Sequence, residues 1–257
     1  MIKVLFIGDI CGKAGRRVLA QHLPVLRDQV DFVIANGENA AGGFGLHLES
    51  AKHIFAAGVD CVTLGNHTWD QKDIYRLLDD SRLVRPLNYP LGTPGRGWQS
   101  FQVGGQTLTV INLLGRTFMD PLDCPFQGIQ ALLQNEALHG HQVFVDFHAE
   151  ATSEKTAMAH FLDGRVAAVV GTHTHIPTAD TRVLPKGTGY QTDAGMTGVL
   201  ESVIGFVPDE PIARYVDRLP ARLKVAEGRA QFNAVVVHLE NNACTYIERY
   251  QYTEPLS

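Results

Sequence analysis

Short runs of apolar, largely β-branched residues recur along the chain, and each one stops at a turn that carries polar side chains. The runs at 2–7, 31–36, 59–64, 142–147 and 166–170 have no polar alternation, which predicts strands buried on both faces. Between them lie stretches of helical period. The one at 14–28 sets Val18, Leu19, Leu23 and Leu26 on one face, with Pro24 predicting a kink or an early stop. Further helices are expected at 49–57, 70–78, 126–137 and 152–162, the last started by Thr152-Ser153-Glu154 as a cap.

Residues 98–114 alternate around Gly104-Gly105, a hairpin pattern. The last third reads as antiparallel strands at 181–184, 189–192, 223–226, 231–240 and 243–252. Successive strand–helix units argue for a largely parallel sheet with right-handed crossovers. With the later strands added, the expected fold is α/β, a four-layer α-β-β-α sandwich of two mixed sheets with helices outside. No repeat or linker interrupts the pattern, so one domain over 1–257 is expected.

Composition narrows the function classes. The 257 residues are 45% hydrophobic and 19% charged, ordinary for a globular chain able to bury a large core. A net charge of −5 gives no basic footprint for an extended nucleic-acid surface. The first apolar run is too short for a signal segment, and none approaches the ~18 residues of a membrane span. Cys11, Cys61, Cys124 and Cys244 form no C-x-x-C pair, so free thiols in a reducing cytoplasm are expected.

The chemistry collects where the strands end. Functional groups of α/β sheets gather at the carboxyl ends of the strands. Read there in order, this chain gives Asp9, Glu38-Asn39, Asn66-His67, His148, and His173 with His175. Each alone has a bland explanation: Asp9 as a helix cap, Asn39 as a turn residue, His148 as a satisfied interior histidine. Together they make a metal site the better explanation. The two histidines of Gly171-Thr172-His173-Thr174-His175 lie two apart, so in extended chain both would face one point. The donors are too many for one catalytic ion, which takes about three protein ligands and an open position. Oxygen mixed with imidazole suits Mn, Fe, Co or Zn. Two such ions can share a hydroxide that attacks phosphorus and can clamp the transferring group.

Gly8-Asp9, Gly37-Glu38-Asn39, Gly65-Asn66-His67, His148 and Gly171-Thr172-His173-Thr174-His175 together resemble the calcineurin-like metallophosphoesterase signature. Two departures stand out: Asp9-Ile10-Cys11 where D-x-H is usual, and Glu38-Asn39 where a bridging aspartate is usual. Both resemble the YmdB-like phosphodiesterase branch, as do Gly195-Met196-Thr197-Gly198 and Arg116 ahead of Pro125-Phe126. The resemblance implies that Asp9, Asn39 and His175 hold a first metal ion. Asn66, His148 and His173 hold a second, and Glu38 bridges them. The ions would be divalent or mixed-valence, iron or manganese first, with zinc or cobalt as substitutes. His67 would protonate the leaving oxygen or stabilise its charge, and Cys11 would pack in the strand-to-helix turn, with thiolate ligation of the first metal as its alternative.

The resemblance implies a small phosphodiester substrate, a nucleotide and specifically a 2′,3′- or 3′,5′-cyclic monophosphate; no membrane partner is expected. The rival readings are a phosphomonoesterase of the same chemistry and a metal-bearing regulatory protein with little turnover. The oligomeric state stays open, a homo-oligomer included. Arg116, Lys186 and the histidines at 22, 47, 53, 139, 141, 160 and 238 read as surface or locally satisfied groups. Phe44 reads as either a base-stacking ring or a half-buried packing residue.

Overall fold

A computed structural model describes residues 1–256. Strand β1 (Ile2–Ile7) leads through the two-residue β2 (Asp9–Ile10) into helix α1 (Gly12–Arg27). There follow β3 (Phe32–Asn36), α2 (Leu48–Ala56), β4 (Cys61–Thr63), the single turn α3 (Ile74–Leu77) and β5 (Leu83–Val84). The hairpin is β6 (Trp98–Val103) and β7 (Gln106–Leu114), with Gly104 and Gly105 both at positive φ. Then come α4 (Pro125–Leu132), β8 (Gln142–His148), α5 (Thr152–Leu162) and β9 (Ala168–Thr172). Short strands β10 (Arg182–Val183), β11 (Gly189–Gln191) and β12 (Met196–Val199) precede α6 (Asp209–Asp217) and the long pair β13 (Ala230–Glu240) and β14 (Ala243–Thr253).

The strands make two mixed sheets. The first runs β2-β12-β13-β1-β3-β4-β5, with β14 on β13; the second runs β10-β11-β9-β8-β7-β6. Strands β1, β3, β4 and β5 are parallel neighbours, as are β7, β8, β9 and β11.

Period-2 side-chain direction builds the layers from the apolar runs. In β1, Leu5 and Ile7 face a core shared with Val18, Leu19, Leu23 and Leu26 of α1 and Ile54 of α2. The intervening Val4 and Phe6 face a second core with Val110, Phe144 and Val170 of the other sheet. A third core joins the far face of that sheet, through Val145, Phe147 and Val169, to Ile129, Met158 and Leu162 of α4 and α5. Helices, sheet, sheet and helices therefore stack in that order.

Several local expectations are corrected. Helix α1 runs through Pro24 to Arg27, since Pro24 is exposed while Leu23 and Leu26 anchor the last turn in the core. The helix expected at 126–137 breaks after Leu132 into a 3₁₀ turn, Glu136–Leu138. Strand β11 is parallel to β9, so the last third is not wholly antiparallel. Residues 223–226 make only an isolated bridge, Phe206 to Val225. Strand β12 was not expected, its four residues including Gly198 and only two strong strand formers. Helix α5 begins at Thr152 with no side-chain cap. Glu154 instead accepts the backbone N–H groups of Arg116 and Thr117, tying the β7–α4 loop to the helix.

All four cysteines are free thiols. Among the described residues no helix is long and apolar enough to cross a membrane.

Candidate metal centre

The ends of β1, β3, β4, β8 and β9 open on one side of the molecule and bring their polar residues together. Gly65 shows why glycine precedes Asn66: a Cβ there would strike Glu38 Oε2 and the His148 ring. The backbone of the β4 end thus lies directly against the functional groups of β3 and β8.

On one side of the site, Glu38 Oε1 and Asn66 Oδ1 each stand 2.9 Å from His148 Nε2. His173 Nδ1 is 3.1 Å from the same nitrogen. A single imidazole N–H satisfies one of these neighbours, whereas a cation suits all of them. Ligand atoms of Glu38, His148 and His173 lie within 4.8 Å of one another. On the other side, Asp9 Oδ1 faces His175 Nε2 at 3.8 Å and has no hydrogen-bond partner despite full burial. Asn39 Oδ1 is likewise buried and unpartnered, its amide nitrogen being committed to the Gly43 carbonyl. Buried oxygens without donors are costly in a native interior, and a metal ion removes the cost.

Electrostatics points the same way. Four carboxylates are buried here, Asp9, Glu38, Asp146 and Asp193, and a buried ammonium, Lys155, pairs with Asp193 alone. Burial pushes the Asp9 carboxyl up against the pull of His175 and His148, with Asp193 and Glu38 adding to the rise. Burial also works against ionised Glu38, yet the charge and hydrogen bond of His148 outweigh it and hold Glu38 at about 2. His148, desolvated but facing Glu38, is raised to about 9. Burial and the neighbouring His148 lower His173 to about 3. The cavity favours positive charge between its acids.

The two histidines of the Gly171–His175 segment converge differently from the expectation. Strand β9 ends at Thr172, and His173 and His175 take φ of 100° and 67°. The chain turns through left-handed conformations instead of staying extended, so the rings go to opposite sides of the site, one to His148 and one to Asp9. Such conformations in non-glycine residues concentrate at functional sites. The Ile204 carbonyl accepts from His175 Nδ1 at 2.9 Å, which turns Nε2 of the ring towards Asp9.

His67 lies beside these groups. Its backbone N–H donates to Glu38 Oε2 at 2.8 Å, and its Nδ1 meets Asp70 Oδ2 at 2.8 Å. Asp70 thus orients this ring. Phe44 stands edge-on to His67 at 4.9 Å and stacks on Phe206 at 5.2 Å. Cys11 is buried at the start of α1, against Gly205.

A sequence profile described as YmdB-like protein matches residues 5–250. A 2′,3′-cyclic-nucleotide 2′-phosphodiesterase of Bacillus subtilis is 46% identical over 243 residues, 93% of this chain and 92% of the relative. The chain belongs to the YmdB-like family. A solved structure of a hypothetical protein from Thermus thermophilus superposes with a TM-score of 0.96 at 50% identity, covering 99% and 100% of the two chains. Another, described as a novel phosphatase from Mycoplasma pneumoniae, gives 0.94 at 36% identity, covering 98% and 93%.

This YmdB-like site has a supporting layer that the strand-end reading missed. Asp146 accepts from Asn36 Nδ2, Thr63 Oγ1 and Thr172 Oγ1, and Thr172 Oγ1 also meets His148 Nδ1 at 2.9 Å. Burial lifts Asp146 to about 6 against those hydrogen bonds and the charge of His148. Behind the His173–His175 turn, Lys155 Nζ donates to Asp193 Oδ2 at 2.6 Å and to the Thr172 carbonyl at 2.7 Å. Asp193 also accepts from Thr174 N and Gly195 N. The signals were present: Asp146 interrupts an apolar run, and Lys155 shares a helix face with Met158, Ala159 and Leu162.

Removing one partner of a buried ion pair strands the other, at about 3–5 kcal/mol. Lys155→Met is therefore expected to lose about that much stability in urea unfolding, because Asp193 stays buried without its cation. A loss below about 1 kcal/mol would mean that the backbone donors alone satisfy Asp193.

Proposed function

We propose that this chain is a dinuclear metal-dependent phosphodiesterase acting on cyclic nucleotides, 2′,3′-cyclic monophosphates first, through a single cytoplasmic domain. The observation that carries the reading is the two-sided donor set. Asp9, Asn39 and His175 would hold one ion, Asn66, His148 and His173 the other, and Glu38 both. When bound, such a pair supplies Lewis acidity to the phosphoryl oxygens and lowers the pKa of a water to near neutrality. The imidazole and oxygen donors suit iron or manganese, with zinc or cobalt acceptable.

The chain's own residues supply the rest. Asp70 accepts from His67 Nδ1 and fixes the ring. Nε2 is left free of that contact, and in the doubly protonated ring it carries the proton that the departing ribose oxygen takes up. The Ile204 carbonyl and the Thr172–Asp146 relay hold the His175 and His148 rings in the tautomers that turn Nε2 inward. The name of the Bacillus subtilis relative supports the cyclic-nucleotide assignment. The free thiols support a reducing compartment.

The test pairs metal content with turnover on protein purified without chelator. About two transition-metal ions per chain and a preference for 2′,3′-cyclic AMP and bis-p-nitrophenyl phosphate over p-nitrophenyl phosphate are expected. Stripping the metal with a chelator is expected to abolish hydrolysis, and re-adding manganese to restore it. A monoester preference would replace this reading with the phosphomonoesterase one, and undiminished activity after complete metal removal would overturn it.

A further inference from the structure

The segment between β12 and α6 reaches the site at Ile204. Ile204 sits there at φ 46°, a conformation that β-branched residues rarely hold. Its carbonyl is spent on His175, while its side chain is 44% exposed. Two residues on, Phe206 stacks on Phe44, which in turn lies edge-on to His67. The same Ile204 and Phe206 form one wall of a hollow of about 310 Å³, closed by Pro211, Tyr215, Arg218 and Leu223.

Three features make this hollow more than a surface dent. Its volume falls at the small end of the range for ligand sites, which are mostly apolar with a few polar groups. Tyr215 presents its ring to solvent at 76% exposure, so the aromatic face is unspent. The wall is linked to the centre through His175, and to the His67 ring beside it through the Phe206–Phe44 pair. A strained residue that turns its carbonyl to an imidazole and its side chain to an apolar hollow couples the two places.

We propose that this hollow takes the base of a nucleotide whose phosphate lies at the metal centre. The inference rests on the phosphodiesterase reading and adds the part of the substrate recognised away from the phosphate. Tyr215 offers aromatic surface to a heterocycle, Phe206, buried and stacked on Phe44, backs the hollow, and Ile204 and Leu223 pack on the edges of the base. Arg218 at the rim offers donors to ring nitrogens or carbonyls. Recognition by stacking tolerates different bases and rejects phosphodiesters that have none.

The experiment compares kcat/KM for 2′,3′-cyclic AMP with that for glycerol 1,2-cyclic phosphate, the same five-membered ester without a base. It uses the full metal-loaded chain and its Tyr215→Ala and Leu223→Asp variants. The ratio of the two kcat/KM values is expected to fall about tenfold in each variant, equivalent to about 1.4 kcal/mol. A ratio within twofold of the unaltered chain in both variants would overturn the base site. Saturation-transfer NMR with adenosine provides a readout independent of turnover. Transfer to the base protons is expected in the unaltered chain and lost in Tyr215→Ala. If the metal-loaded chain hydrolyses neither ester, the phosphodiesterase reading fails, and adenosine contact decides the base site alone.

Discussion

Glu38→Ala is expected to lose bound metal and turnover together. In the proposed centre Glu38 would be the bridge between the two ions. Its Oε1 meets His148 Nε2 at 2.9 Å and its Oε2 takes the His67 backbone N–H at 2.8 Å. Alanine removes a charge that both ions would share. It also releases the turn that presents Asn66 and His67, because that turn is anchored on the same oxygen. The loss should exceed the ~10–100-fold that removal of an outer partner of a metal ligand costs, and metal content should fall below one ion per chain. Glu38→Gln separates the two contributions. It keeps an oxygen for the His67 N–H but not the charge, so the turn stays in place while metal affinity still drops. Full metal content in Glu38→Ala, measured by elemental analysis on folded protein, would refute the bridging role.

How far the sequence foretold this molecule can be read from particular residues. The strands whose two faces are both buried were plain, because β1, β3, β8 and β9 have no polar face for solvent. The residues beyond their ends followed from topology, since parallel strands discharge their chains on one side. What stayed hidden was decided by tertiary partners. Strand β12 is short and weak in local propensity, and pairs because β2 and β13 lie beside it. Residues 223–226 are apolar enough for a strand but form a single β-bridge, Val225 to Phe206.

The site divides in the same way. Side chains at strand ends were legible as a constellation, whereas Asp146, Lys155 and Asp193 act from within strands, helices and loops. A buried charge advertises itself only as a polar residue in an apolar pattern, and its partner is known once the fold is known. The extended geometry assumed for His173 and His175 failed because no local signal announces a left-handed histidine. The turn is imposed by Asp193 and Ile204, respectively 20 and 31 residues after His173, through the Thr174 N–H and the His175 ring.

His67→Ala is expected to slow hydrolysis by roughly 10²–10⁴-fold, the usual contribution of general acid–base help, while both ions remain bound. The reason for metal retention is geometric. The contacts recorded for the His67 ring are with Asp70 and Phe44, not with the Asp9–His175 or His148–His173 groups. The size of the loss should depend on the leaving group. A ribose oxygen is strongly basic and leaves only with a proton, whereas p-nitrophenolate leaves readily without one. The rate should therefore fall far more with 2′,3′-cyclic AMP than with bis-p-nitrophenyl phosphate. Asp70→Asn should reproduce a smaller part of the same pattern, since it loosens the ring without removing it. Equal losses on the two esters would assign His67 to stabilising charge on the phosphoryl group. Loss of an ion from His67→Ala would make it a ligand and remove the acid role altogether.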